Sequence, residues 1–116
     1  MRENASPGGR ARAGTLPALA VAGLVAASLA WAQGRAHRIA MKDIGFTPSQ
    51  VTARVGDTVS WDNSDIVAHT ATSVAGGFDV EAKPGGQASA VLTRPGTFAY
   101  ICRYHPNMTG QIVVQR

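Results

Sequence analysis

The chain has 116 residues, 11 Lys and Arg against 7 Asp and Glu, a formal net charge of +4 and an apolar fraction of 45%. A single cysteine excludes an intramolecular disulfide framework. No basic run with interleaved aromatic residues occurs, which argues against a nucleic-acid partner.

In chain order, Arg2, Arg10 and Arg12 precede an uncharged run from Leu16 to Ala30 that is rich in Ala, Leu and Val. The run matches a signal-peptide core and falls short of the roughly 20 apolar residues needed to span a bilayer. It ends in Ala30-Trp31-Ala32, which fits the small-x-small rule for cleavage. Residues 1–32 therefore read as an export signal, with retention as a membrane anchor as the rival reading. Residues 33–116 read as one small domain, periplasmic or otherwise exported. Without the signal, eight basic and six acidic side chains leave a net charge of +2. Such a charge affects solubility and encounter, not fold.

The rest of the chain alternates with a period of two. Ile39 and Met41 mark an early strand, with Ile44 and Phe46 continuing the pattern up to Pro48. Val51, Ala53 and Val55, then Val59 and Trp61, flank Gly56-Asp57 and predict an antiparallel hairpin. Residues 73–86 are glycine-rich and predict a loop with at most a short strand. Strands are expected over 88–93, 97–102 and 111–115, with a Pro95-Gly96 turn between the first two. No helical stripe appears after residue 33, so the fold class is all-β, an antiparallel sandwich.

On the strand ending at Cys102, Phe98, Tyr100 and Cys102 share one face and should point inward. A buried cysteine is by itself commonplace. Here His105 and Met108 follow it at intervals of three, on a loop bounded by Pro106 and Gly110. Thiolate, imidazole and thioether together suit copper, whereas methionine argues against structural zinc. A type 1 copper site takes two histidines and a cysteine in a plane with a weak axial methionine, so a second histidine is needed. His69 lies on the loop after the Trp61 strand, where it can face the Cys102 loop. His37 is near the start of the domain and is expected to be solvated.

The stretches "FTPSQVTARVGDTVSWDN", "AHTATS" and "PGTFAYICRYHPNMTGQIVV" resemble the cupredoxins, the small blue copper proteins, and among them the amicyanin and plastocyanin branch. The resemblance covers nearly the whole 33–116 domain. It implies a Greek-key sandwich binding one type 1 copper ion through His69, Cys102, His105 and Met108. The two-residue gaps of Cys-x-x-His-x-x-Met are similar to the short amicyanin loop. Thr70 stands where the family often has an asparagine that ties the two ligand loops, so that tie is left open. Tyr104 replaces a proline common in amicyanins and is expected to pack on the surface.

Four ligands leave no open position for a substrate, and neither a carboxylate in the ligand loop nor a Ser-His-Asp order supports catalysis. The expectation is a non-enzymatic, monomeric carrier that passes single electrons by cycling Cu(I) and Cu(II). The resemblance places the electron's exit at His105, inside an apolar patch with Ala68 and Pro106 on which donor and acceptor proteins dock. The rival is a copper-binding or delivery protein with no electron role; a copper-free adhesion sandwich would make the constellation accidental. Cleavage after Gly34 instead of Ala32 would begin the chain Arg35-Ala36-His37, a sequence able to wrap Cu(II) in nitrogen donors.

Overall fold

Alternating apolar side chains generate two sheets whose inner faces share one core. The computed structural model describes residues 34–116, and the export segment read over 1–32 lies outside them. The strands are β1 (Ala36–Met41), β2 (Phe46–Thr47), β3 (Gln50–Arg54), β4 (Thr58–Asn63), β5 (His69–Ser73), β6 (Asp79–Ala82), β7 (Gln87–Val91), β8 (Gly96–Ile101) and β9 (Thr109–Gln115). One sheet has the order β2-β1-β4-β7 and the other β3-β9-β8-β5-β6. The all-β sandwich expected from the sequence is present, with no helix among the described residues. Its sheets are mixed: β1 pairs with β4, and β3 with β9, in parallel, while the other pairings are antiparallel. β6 is the short strand inside the 73–86 stretch.

The core follows from the period-two pattern. Val59, Trp61 and Asn63 face inward from β4, Ile39 and Met41 from β1, and Ile112 and Val114 from β9. Tyr100 sits at the centre, its ring edge-on to Phe46, Trp61 and Phe78 at centroid distances of 4.6, 5.7 and 5.7 Å. Trp61 Nε1–H donates to the Tyr100 hydroxyl at 3.3 Å, which satisfies both polar tips inside the core. Burial pushes the Tyr100 phenol up to about 12, although the Trp61 bond opposes it.

The predicted β3–β4 hairpin does not form, because the two strands belong to different sheets. The reason is Asp57, buried in the turn between them. Its carboxylate accepts the Arg54 N–H (2.9 Å) and the Arg35 N–H (2.8 Å), so it fastens the turn to the start of β1. Gly56, at φ 96°, donates its N–H to the Leu92 carbonyl, and Leu92 N–H returns a bond to Asp57. The chain thereby swings from one sheet to the other instead of doubling back.

His37 also differs from expectation. It lies in β1 with its side chain only 21% exposed, and its Nε2 sits 2.8 Å from Asp57 Oδ2. The carboxylate at the sheet crossing anchors a residue that its position near the domain's start would leave free.

This anchor predicts an acid limb of stability. Burial raises the Asp57 pKa, but bonds from His37, Arg54 and Arg35 outweigh it and hold the carboxyl at about 2, below its ordinary 3.8. Because the folded pKa is the lower one, the stabilisation is complete above the unfolded value and is lost as pH falls through the folded one. Urea midpoints should drop between about pH 5 and about pH 2 by the equivalent of about 1–2 kcal/mol, and Asp57→Ala should flatten this limb. An unchanged limb in Asp57→Ala would assign it to other carboxylates.

Candidate metal centre

Two loops at one end of the sandwich carry the site. The first joins β4 to β5 and is shaped by Asn63, the last residue of β4. Asn63 Nδ2–H donates to the carbonyls of Val67 (2.8 Å) and Ala82 (3.0 Å), and its Oδ1 accepts the Asp65 N–H (2.9 Å). These bonds curl residues 63–69 so that His69 enters β5 fully buried. The second loop joins β8 to β9. Cys102 N–H donates to the Met108 carbonyl (3.0 Å), His105 N–H to the Cys102 carbonyl (3.3 Å) and Met108 N–H to the His105 carbonyl (2.8 Å). Spacing by three thus becomes a tight turn that returns the chain to its starting point.

Within this frame the Nδ1 atoms of His69 and His105 lie 3.7 and 3.8 Å from Cys102 Sγ. One ligand atom from each of the three residues falls within 4.8 Å of the others. The imidazole rings stand edge-on at 5.2 Å. Cys102 and Met108 are buried, and His105 is half-buried. His69, Cys102 and His105 are therefore gathered as the sequence predicts, and Met108 closes the same loop.

The electrostatics favour a thiolate. Burial raises the Cys102 pKa, but the Thr70 N–H at 3.4 Å, the two histidines and the Tyr104 backbone stabilise the anion and bring it down to about 6. A thiolate with two imidazole nitrogens is a soft sulfur and nitrogen donor set, which fits copper. Structural zinc in an all-protein site takes further thiolates or histidines, and Cys102 is the chain's one cysteine.

A family model described as a cupredoxin-like domain matches residues 15–114. The chain is a cupredoxin. Amicyanin of Paracoccus denitrificans is 35% identical over 76 residues, 60% of this chain and 58% of that protein. Plastocyanin of Scenedesmus fuscus is 34% identical over 84 residues, 60% of this chain and 86% of that protein. A solved amicyanin variant in its reduced state has a TM-score of 0.61 at 28% identity, covering 69% of this chain and 82% of its own. The chain spans less than two thirds of the length of the amicyanins it matches, 58 to 64%. The three-residue cluster of this cupredoxin is consistent with a type 1 copper site, and copper is its cofactor.

The open question at Thr70 has an answer in the geometry. Its hydroxyl accepts the Arg103 N–H at 2.8 Å while its own N–H points at Cys102 Sγ. Threonine thus ties the two ligand loops of this cupredoxin together. Tyr104 packs on the surface, half exposed, with its hydroxyl donating to Glu81 at 2.7 Å; that acceptor raises its pKa. Arg103 pairs with Asp79 at 3.3 Å, so loop and β6 are laced side by side.

Sequence reasoning passed over Asp65 and Asn63. Asp65 Oδ2 sits 2.7 Å from His69 Nε2, and the interaction holds the Asp65 carboxyl below its ordinary value. The signal was a carboxylate four residues before the histidine, a spacing without meaning until the loop's curl is known.

Proposed function

We propose that this cupredoxin is an exported carrier of single electrons between redox proteins, with one copper ion held by His69, Cys102, His105 and Met108. The observation that carries the reading is the convergence of two Nδ1 atoms on a buried sulfur, with Met108 buried on the same loop. Bound copper supplies a one-electron couple between Cu(I) and Cu(II). The chain's part is to hold the donor atoms still. Backbone bonds across the Cys102–Met108 loop and the Thr70 tie between loops resist rearrangement when the charge at the site changes.

Burial of His69, Cys102 and Met108 keeps water from three sides, so His105 is the side chain through which the site meets solvent. Pro106 is exposed, Ala68 half-buried and Ile66, two residues before Ala68, 93% exposed, which supports an apolar docking face for donor and acceptor around His105. We assign the protein no reaction of its own. The carboxylate nearest the cluster, Asp65, faces His69 Nε2 and is already engaged.

Export rests on the segment 1–32, and Gly34 supports cleavage after Ala32. A side chain at residue 34 would run into the Gly56 carbonyl, so Gly34 belongs to the fitted surface of the domain. A cut after Gly34 would remove it.

Purified exported protein given one equivalent of Cu(II) should develop an intense blue thiolate-to-copper absorption. Ascorbate should bleach it, and ferricyanide restore it, with one electron per protein. Tight copper binding without reversible bleaching would favour delivery over electron transfer, and a colourless protein that prefers zinc would refute the reading.

A further inference from the structure

The acidic side chains of the described residues gather at one end of the sandwich. Asp43 and Asp65 lie on loops beside the metal cluster, and Asp62 pairs with Arg38 near the end of β4. Asp79 and Glu81 bond Arg103 and Tyr104 of the ligand loop. The opposite end is formed by the starts of β1, β4 and β8 and the ends of β3, β5, β7 and β9. Arg35, Arg54 and Arg94 are all exposed there. The one Asp or Glu side chain at that end, among the described residues, is Asp57. It is buried, accepts the Arg35 and Arg54 N–H groups and faces His37 Nε2, so its charge is already met by the protein.

A cleft of about 330 Å³ opens at this end, lined by Arg35, His37, Thr52, Arg54 and Gln115 around Asp57. Guanidinium groups suit phosphate oxygens, and the Thr52 hydroxyl and Gln115 amide add neutral donors. Three exposed apolar side chains stand near these cations. Val55 follows Arg54 in the β3–β4 turn, Val74 opens the β5–β6 turn and Val91 ends β7. Arg94, in the β7–β8 turn, lies over the Phe98 ring and beside Gly77 of the β5–β6 turn. Valines on separate turns at one end can enter one plane together, while the arginines between them stay at the level of its head groups.

We propose that the end opposite the metal centre is a docking face for an anionic phospholipid surface. A lipid phosphate occupies the Arg35–Arg54 cleft, and Val55, Val74 and Val91 reach the acyl boundary. An acidic protein would match the arginines, but valines standing singly on three turns offer no continuous apolar centre for a protein interface. A fluid lipid surface accepts them one by one. Docked this way, the protein turns His105 away from the membrane and towards soluble partners. The face is a property of the fold and does not depend on bound copper, so it stands or falls apart from the electron-carrier reading.

The test sediments the exported protein with vesicles of phosphatidylcholine, alone and mixed with phosphatidylglycerol. Binding should require phosphatidylglycerol and weaken as salt is added. Arg35→Gln and Arg54→Gln should each lower vesicle affinity about fivefold, the share of one cation near an anionic surface. Both side chains are exposed and their N–H bonds to Asp57 survive the substitution, so the fold is kept. Lys83→Gln removes the same charge at the metal end, one residue after the Ala82–His69 pair, and should leave binding unchanged. Val91→Asn should weaken vesicle binding without altering the response to free glycerophosphate. Equal binding to both kinds of vesicle, or an equal loss in Lys83→Gln, overturns the proposal. So does a protein that binds free glycerophosphate or polyglutamate but neither vesicle, which would assign the face to a soluble anion or an acidic protein. A protein that binds none of these probes overturns it as well.

Discussion

Cys102→Ser protein mixed with Cu(II) is expected to remain colourless, its visible thiolate absorption reduced to baseline. The sulfur is the site's one soft anionic donor, and its low pKa comes from neighbours that would surround serine equally: the Thr70 N–H and the two imidazoles. A serine hydroxyl in the same place stays protonated and is a hard donor, so it supplies neither the charge transfer nor the preference for Cu(I). The substitution is nearly isosteric, and serine can accept the Thr70 N–H. Unfolding of the metal-free variant should therefore stay within about 1 kcal/mol of the parent. That separates loss of the metal from loss of the fold. A Cys102→Ser protein that retained the intense band would remove Cys102 from the site.

The largest effect on stability is expected at Gly110. It faces Tyr100 across the β8–β9 ladder, and a Cβ there would sit 2.5 Å from Tyr100 Cζ and 2.6 Å from its hydroxyl oxygen. The ring cannot step aside, because Phe46, Phe78 and Trp61 surround it and Trp61 bonds its hydroxyl. Gly110→Ala must then shift β9 or break the aromatic cluster, at a cost of about 2–3 kcal/mol. Tyr100 stands two residues before Cys102, so the displacement should also broaden the copper spectrum. A urea midpoint equal to the parent's would show that β9 yields without strain.

What could be read from the sequence and what could not divide along a physical line. Cys102, His105 and Met108 are close in sequence and carry distinctive chemistry, so a short loop suffices to bring them near one another. His69 was reachable because a strand start beside a turn places it at one end of a sandwich. The strands themselves follow from alternation around Trp61, Tyr100 and Ile112. The crossing between β3 and β4 was not legible, since Gly56-Asp57 is an ordinary hairpin signal. Only the convergence of Arg35 and Arg54 N–H on one carboxylate redirects the chain. His37 was misjudged for the same reason: its partner is 20 residues away. Thr70 and Asp65 act through single atoms whose direction is set by tertiary packing, which periodicity does not encode.

The parallel pairings bear on how the protein is made. β3 aligns with β9 from Gln50 opposite Gln111 to Arg54 opposite Gln115, so the edge strand β3 has no ladder until the last described strand is present. The Cys102–Met108 loop is held between β8 and that same strand. Contacts so distant along the chain must close large loops before they are rewarded, which makes assembly slow compared with local structure. The donor atoms of the second loop are therefore held in place only once that strand has paired. Copper that binds the native form alone therefore stabilises, by mass action, the pairing of the last strand as well as the site.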